Sequence, residues 1–433
     1  MYRPSWGRTV GALVLALVAG GVTACGNGGG GTTAQPGQFE GRGPITLAQG
    51  KDTTGTVQGQ LDRWNTDHPN EKVTLAELPE SADQQRQQFI QNAQTKSDAF
   101  AVLNMDVIWT AEFAANGWIQ QLPEDQFPLG EMLPSTVATG KYFNKLYAVP
   151  YNTNAGLLFY RKDLLDQVQA QPPKTWDEMQ ATCAKVKALP AAAGIGCYAG
   201  QFDKYEGLTV NFSEAVQSAG GKVVDDEGKP TVNSPEAKAG LEFLVNGFKS
   251  GLIPRDAVTY QEEPGRRAFQ EGKLIFHRQW PYQWTLANAT DGSSKVAGKF
   301  GVAPLPGKSG PGSSSLGGQN LAISTYAKNK ATALDFIKWF ANVENAKKNL
   351  DSNSLAPVYS SIYSDSALQQ KFAYLSVLKQ SLDSAVARPR VVAYGDATLA
   401  IQENAYAAIT GAKAVDAALA DMQNKLTEVT ARR

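Results

Sequence analysis

The chain has 433 residues, 41 Lys and Arg against 41 Asp and Glu, 42% hydrophobic residues and 3 cysteines. At roughly 100 to 200 residues per domain, that length allows two to four domains with ample core. The balanced charge excludes a partner held mainly by electrostatics, because counterion release from nucleic acid needs a basic excess. Three cysteines cannot frame a disulfide-stapled mini-protein, and their odd number needs a cause.

The N-terminus supplies one. Arg3 and Arg8 form a cationic start, Val10 to Val22 is an almost uncharged Ala/Leu/Val/Gly run, and Val22-Thr23-Ala24-Cys25 closes it with small residues. This reads as a secretory signal over residues 1–24, too short for a comfortable membrane span. The closing residues resemble the bacterial lipobox, which implies cleavage before Cys25 and diacylation of its sulfur. An ordinary signal peptide with an incidental cysteine is the other reading. Removing residues 1–24 takes away two arginines and leaves the exported chain slightly acidic. Gly26 to Gly43 contains GNGGGG and almost no large apolar residue, so it is expected to be a flexible tether behind Cys25.

The elements then alternate. Ile45 to Ala48 is predicted as a strand, Val57, Leu61 and Trp64 recur as one face of a helix that stops before Pro69, and Val73 to Leu78 is a second strand. That order predicts a parallel sheet and an α/β class. A Gln-rich helix over Asp83 to Gln94 leads into the apolar run Ala99 to Trp109 and a short helix ending near Gly117. Lys222 to Val232, with Asp226-Glu-Gly228 at its middle, predicts a hairpin. Helical spacing marks Glu236 to Ser250, Ala331 to Asn342, Ser366 to Ser384 and Val415 to Leu426.

Cys183 and Cys197 bracket a short segment, and an oxidising compartment allows a local disulfide worth roughly 3 kcal/mol for a loop of about 15 residues. Two free thiols are the alternative; the spacing does not suit a CxxC redox or zinc site. His68 and His277, the two histidines, sit in no ligand pattern and are expected at the surface or in merely polar roles. No nucleophile elbow, Walker loop, zinc motif or dinucleotide fingerprint occurs, so neither a metal nor a cofactor is expected. Glu262 and Glu263 are adjacent, so they are expected to point in different directions, whereas glycosidase carboxylates flank one bond about 5 to 9.5 Å apart.

Aromatic and polar residues instead gather in short irregular stretches: Pro150-Tyr-Asn-Thr-Asn154, Trp280-Pro-Tyr282, Gly317-Gly-Gln-Asn320 and Arg388-Pro389. Loops on a rigid scaffold commonly carry binding groups. Sugar sites need these types: an aromatic ring for the apolar C–H face of a pyranose, carboxylates that accept from hydroxyls, and Arg that donates back.

At these stretches, and over nearly all of residues 45–430, the sequence resembles the extracellular solute-binding lipoproteins of ABC sugar importers. Within them it is similar to the trehalose/maltose-binding group, actinobacterial trehalose-binding lipoproteins included. The matching residues include Leu78-Pro79 with Asp83-Gln-Gln-Arg86, Met105-Asp-Val-Ile-Trp-Thr-Ala-Glu-Phe113, Leu146 to Arg161, and Tyr205-Glu-Gly-Leu208. Thr259-Tyr-Gln-Glu-Glu263, Phe269-Gln-Glu-Gly272, Arg278-Gln-Trp-Pro-Tyr282, Leu316-Gly-Gly318 and Ala387-Arg-Pro389 continue the match. The resemblance implies a two-lobed α/β fold of maltose-binding type with a hinge and an interlobe cleft. The N-terminal lobe is expected from 44–151 plus 318–354, and the C-terminal lobe from 152–317 plus 355–433.

Carried over by position, Asp106 accepts from glucosyl hydroxyls, Asn154 bonds the sugar from the hinge with Asn152 beside it, Glu263 takes two hydroxyls and Trp280 is the stacking platform. Gly318, after Gly317, lets backbone approach the ligand, Arg388 donates to the second ring with Tyr394 nearby, and Ser81 and Arg86 lie on the N-terminal rim. Other readings stay open: Asp106 as an N-cap near Thr110, Arg86 as an exposed helix charge, and Trp280 as a core residue, although Pro281 favours exposure at a cleft. Gln319 stands where part of the family has tryptophan, and Asn154 where some members have aspartate. Actinobacterial trehalose binders share the first departure, which tilts the expected ligand to trehalose over maltose. The implied partners are a disaccharide, the permease subunits of an importer with a cytoplasmic ATPase, and the membrane through the lipid alone, the protein acting as a monomer on the outer face. A secreted glycoside-acting enzyme and a sugar-sensing surface lipoprotein are the competing functions.

Overall fold

Strand Ile45–Gly50 pairs in parallel with both Val73–Leu78 and Val102–Asp106, as the alternation of strand and helix predicts. The computed structural model describes residues 39–225 and 227–431. The signal segment, Cys25 and most of the expected tether lie outside them. What is described of the tether is pinned to the body: the Glu40 and Gly41 carbonyls accept from Lys330 and Ala331, and Arg42 pairs with both Glu71 and Asp335. Residues 40–42 of the expected tether are thus held by partners that composition alone does not reveal.

Two sheets organise the rest. The first is six-stranded, in the order Val386–Ala387, Ser315–Ile323, Val102–Asp106, Ile45–Gly50, Val73–Leu78, with Ala148–Ala155 also paired to Ser315–Ile323. The second is four-stranded, in the order Phe300–Ala303, Leu157–Arg161, Leu274–Gln279, Gly196–Ala199. The chain passes from the first to the second at Gly156, between Ala155 and Leu157. Ala148–Ala155 and Ser315–Ile323 stay in register from Ala148 with Ala322 to Ala155 with Leu316, apart from a bulge at Gln319/Asn320. The 151/152 and 317/318 boundaries thus fall inside two paired strands, and Gly318 makes the close approach there possible. Its φ is +120°, and a Cβ would stand 2.4 Å from the Asn152 carbonyl oxygen.

Helices cover both sheets because each has one apolar face. In Val57–Asp67 the buried residues include Val57, Leu61 and Trp64. Trp176–Lys187 starts with a capping box between Thr175 and Glu178, and Pro235–Ser250 starts at the Ser234 cap and stops at Gly251 with φ +75°. The expected single helix over Ser366 to Ser384 is instead two, Ser366–Lys371 and Leu375–Asp383. Phe372 and Tyr374 are both buried, and residues two apart lie on different sides of a helix, so the helix breaks to bury them together. The expected hairpin at Lys222 to Val232 reduces to one bridge, Val224 with Pro230, around Gly228 at φ +80°.

Cys183 and Cys197 are bonded, with Cα atoms 5.8 Å apart, tying Trp176–Lys187 to the strand Gly196–Ala199. The histidines separate. His68 stacks on Trp64 at 3.7 Å between ring centroids, whereas His277 is fully buried against Gln283 Oε1 at 2.7 Å. His277 thus takes the polar role rather than the surface one: its strand is buried at every position, and burial holds its imidazole down to about 3.

Candidate functional site

The strands of both sheets end at one cleft of about 280 Å³. Openings at the carboxyl ends of parallel strands are where α/β folds place ligands, because loops diverge there and strand-end side chains lose their neighbours. Asp106 is the last residue of Val102–Asp106, and Trp280 follows directly on Leu274–Gln279. Of the sequence-predicted residues, Asp106, Asn152, Asn154, Glu263, Trp280, Gly318 and Arg388 all line this cleft.

Three do not reach it. Ser81 starts the helix Ala82–Gln94 without a side-chain capping bond and stands between Glu80 and Ala82, which line the cleft where it does not. Arg86 is neither a free rim donor nor an exposed charge, because its Nε bonds Glu112 Oε2 at 2.8 Å and its Nη2 bonds the other oxygen of the same carboxylate. Tyr394 is fully buried, its hydroxyl donating to Glu206.

Asp106 Oδ1 accepts from the Ile108 backbone N–H at 3.0 Å and from Arg388 Nη2 at 2.5 Å. It does not cap the helix Thr110–Ala115, which begins at Trp109 with no side-chain cap. Arg388 is only 3% exposed, its Nη1 bonds Glu206 at 2.5 Å, and its Nε is buried without a partner. Two of its five N–H groups are thus given to carboxylates, which anchor the guanidinium in the cleft wall. Asn152 is tied too: its Oδ1 accepts from the Gln319 backbone N–H at 2.7 Å, and its Nδ2 donates to the Gln319 side chain.

On the facing wall, Glu263 accepts two bonds from Arg266, at 2.9 and 2.6 Å, and one from the Tyr282 hydroxyl at 2.8 Å. Its neighbour Glu262 lines the same cleft, though the two carboxylates take different partners. Glu262 accepts from the Tyr205 hydroxyl at 2.8 Å and from the Trp280 side chain, and burial raises its titration. Trp280 is fixed from a second side, with the Arg278 guanidinium 3.8 Å from its ring centroid. The indole is half-buried, and a Cβ on Gly317 would come within 3.0 Å of it.

Glu206 is the residue that sequence reasoning passed over. It opens the helix Glu206–Ser218, is 3% exposed, and burial pushes its titration up to about 7 against the opposing pull of Arg388. The signal was present in Tyr205-Glu-Gly-Leu208, but nothing local shows that a helix-opening glutamate meets Asp106 and Arg388. Gln49, Asp52, Asn104, Gln261 and Tyr282 complete much of the lining. Among the described residues no group of acids, histidines or cysteines is arranged to hold a metal, and no helix is long and apolar enough to cross a membrane.

A two-sheet α/β body that converges carboxylates, amides and an indole on one cleft is a ligand-binding protein. Over residues 50–347 the chain matches the bacterial extracellular solute-binding proteins, and it belongs to that family. It is 31% identical over 383 residues to a probable ABC transporter-binding protein of Deinococcus radiodurans, covering 86% of this chain and 89% of that one. The solved structure of maltose-bound T. maritima MalE3 matches with a TM-score of 0.84 at 33% identity, covering 89% of this chain and 99% of that one. The GacH receptor of Streptomyces glaucescens, solved unliganded and with acarbose, matches at a TM-score of 0.80 over 91% of this chain and all of that one; at 23% identity it shares the fold. The fold is thus the two-lobed α/β fold of that type, the protein is a binder rather than an enzyme, and it works outside the cytoplasm.

Proposed function

We propose that the protein is the binding component of an ABC importer for an α-linked disaccharide, trehalose first and maltose next. The observation that carries this reading is the indole of Trp280, held by Arg278 and Glu262 on one wall and faced by Asp106 and Asn154 on the cleft lining. An aromatic face ringed by acceptors suits a neutral polyhydroxylated ring. Glu263 keeps one acceptor site, on Oε1, for a hydroxyl, while Gln319 supplies an amide where an indole would wall off the second ring. The maltose in the MalE3 relative supports the substrate class.

Ligand touching both lobes stabilises the closed form by its differential affinity, and the closed form docks on the permease. The lobes divide near 151/152 and 317/318, inside the paired strands Ala148–Ala155 and Ser315–Ile323. Cys25 carries the lipid that holds the protein, as a monomer, at the outer face of the cell membrane. Calorimetry of the purified protein against trehalose, maltose, sucrose and glucose tests the substrate: binding of an α-linked disaccharide over glucose is expected, and no heat with any of them overturns it. Labelled lipid precursor incorporated into wild type and not into Cys25→Ser tests the anchor.

A further inference from the structure

Two carboxylates share one guanidinium at one end of the cleft, and a third stands close to them. Asp106 and Glu206 both bond Arg388, at 2.5 Å each. Asp83, half-buried, accepts from Gln402 Nε2 at 3.2 Å and lies close to the Glu206 backbone and to Asp106. The members come from opposite walls: Asp83 and Asp106 from the first-sheet side, Glu206 and Gln402 from the packed helices Glu206–Ser218 and Tyr394–Ile409. Facing Glu206 from its own side are Tyr394, which donates to Oε1, and Thr398, which donates to Oε2 at 2.7 Å. The nearest other cation, Arg86, pairs with Glu112 and offsets part of the charge of Asp83. One guanidinium is shared by the buried Glu206 and the half-buried Asp106, with Asp83 close by, and like charges brought together away from water favour a proton on one of them.

We infer that Glu206 is a positioning residue that holds Arg388 against Asp106 and couples closure of the cleft to uptake of one proton from solvent. Asp83 and Asp106 stand near Glu206 only while the two walls are together. Opening removes both negative neighbours, and the proton leaves. Burial, Asp106 and Asp83 all push Glu206 towards its neutral form, up to about 7. The protonated carboxyl keeps its place by donating to Thr398, whose hydroxyl can turn to Thr209 Oγ1 at 2.7 Å. Acid therefore favours the closed form, and a ligand that closes the cleft binds more tightly as pH falls. If Glu206 returns to an ordinary carboxylate range of about 4.5 on opening, linkage bounds the gain at roughly 30-fold between about pH 8 and about pH 5.5.

The inference rests on closure around a ligand, but its first test needs no ligand. Small-angle scattering of the sugar-free protein should show a smaller radius of gyration at the acidic end of that range, and the Glu206→Gln variant should lose this dependence. A radius that does not respond to pH in the wild type overturns the inference. With trehalose or maltose, calorimetry in two buffers of different ionisation enthalpy should report uptake approaching one proton near neutral to mildly acidic pH, together with a Kd that falls several-fold on acidification. Binding without proton uptake, or a Glu206→Gln variant that keeps the wild-type slope, overturns it as well. If neither sugar binds while the radius still responds, the disaccharide assignment fails and the proton coupling stands.

Discussion

Arg278 is fully buried beneath Trp280, and replacing it with methionine tests how the stacking platform is built. Its Nε and Nη2 fork onto Glu214 at 2.7 and 2.5 Å, its Nη1 bonds Gln201 Oε1 at 2.9 Å, and its guanidinium lies 3.8 Å from the indole centroid. Arg278→Met fills a similar volume but strands Glu214, which is 4% exposed. Breaking a buried pair in this way costs about 3 to 5 kcal/mol, and the desolvated cation–π contact adds up to about 2 kcal/mol. The backbone N–H of Ser315 still donates to Glu214 at 3.1 Å, which keeps the loss towards the lower end. We therefore expect about 4 kcal/mol by urea unfolding followed by tryptophan fluorescence. The double variant Arg278→Met/Glu214→Gln removes the stranded charge and should recover at least about 2 kcal/mol. A single-variant loss below about 1 kcal/mol, or a double variant no more stable than the single, would refute this account of the buried pair. The double variant should still bind sugar more weakly than wild type, because the indole has lost its backing.

Trp280→Ala should weaken disaccharide binding by at least about 2 kcal/mol, near 30-fold by calorimetry, and an unchanged Kd would remove Trp280 from the site. Replacing both Cys183 and Cys197 with alanine should lower unfolding free energy by about 3 kcal/mol, read from the urea midpoint at constant slope. His277, held down to about 3 by burial, is neutral in the folded protein while the unfolded chain takes up a proton near 6.5. Its contribution to stability is therefore lost as pH falls through that window. In His277→Gln the rise of unfolding free energy with pH between about 4 and 6 should be shallower by nearly one proton; equal slopes in both proteins would count against a buried neutral imidazole.

The parallel pairing of Ile45–Gly50 and Val73–Leu78 was legible because it rests on local pattern. Apolar residues at helical or alternating spacing choose the element type almost regardless of what lies far off in sequence. The helix break at Phe372 to Tyr374 was not legible, since helical spacing there is sound until Trp284, 5.0 Å from Tyr374, makes burial of both rings decisive. The same contrast runs through the site. Asp106, Trp280 and Glu263 stand in stretches distinctive enough to mark, and all three line the cleft. Arg86 stood in an equally distinctive stretch, but its availability depended on Glu112, 26 residues away.

By itself, then, the sequence determined the α/β class, the residue types suited to a neutral hydroxylated ligand, and the stretches where a cleft would gather them. Those follow from short-range periodicity and from side-chain chemistry, which each residue carries wherever it stands. Only the tertiary structure decided which of those side chains are free. Arg388 lies 282 residues from Asp106 and 182 from Glu206, yet its guanidinium pairs with both. Burial turns Glu206 from an ordinary acid into a proton acceptor near neutrality. Charge and solvation at a site are sums over neighbours brought together by folding, and no local stretch of chain contains them.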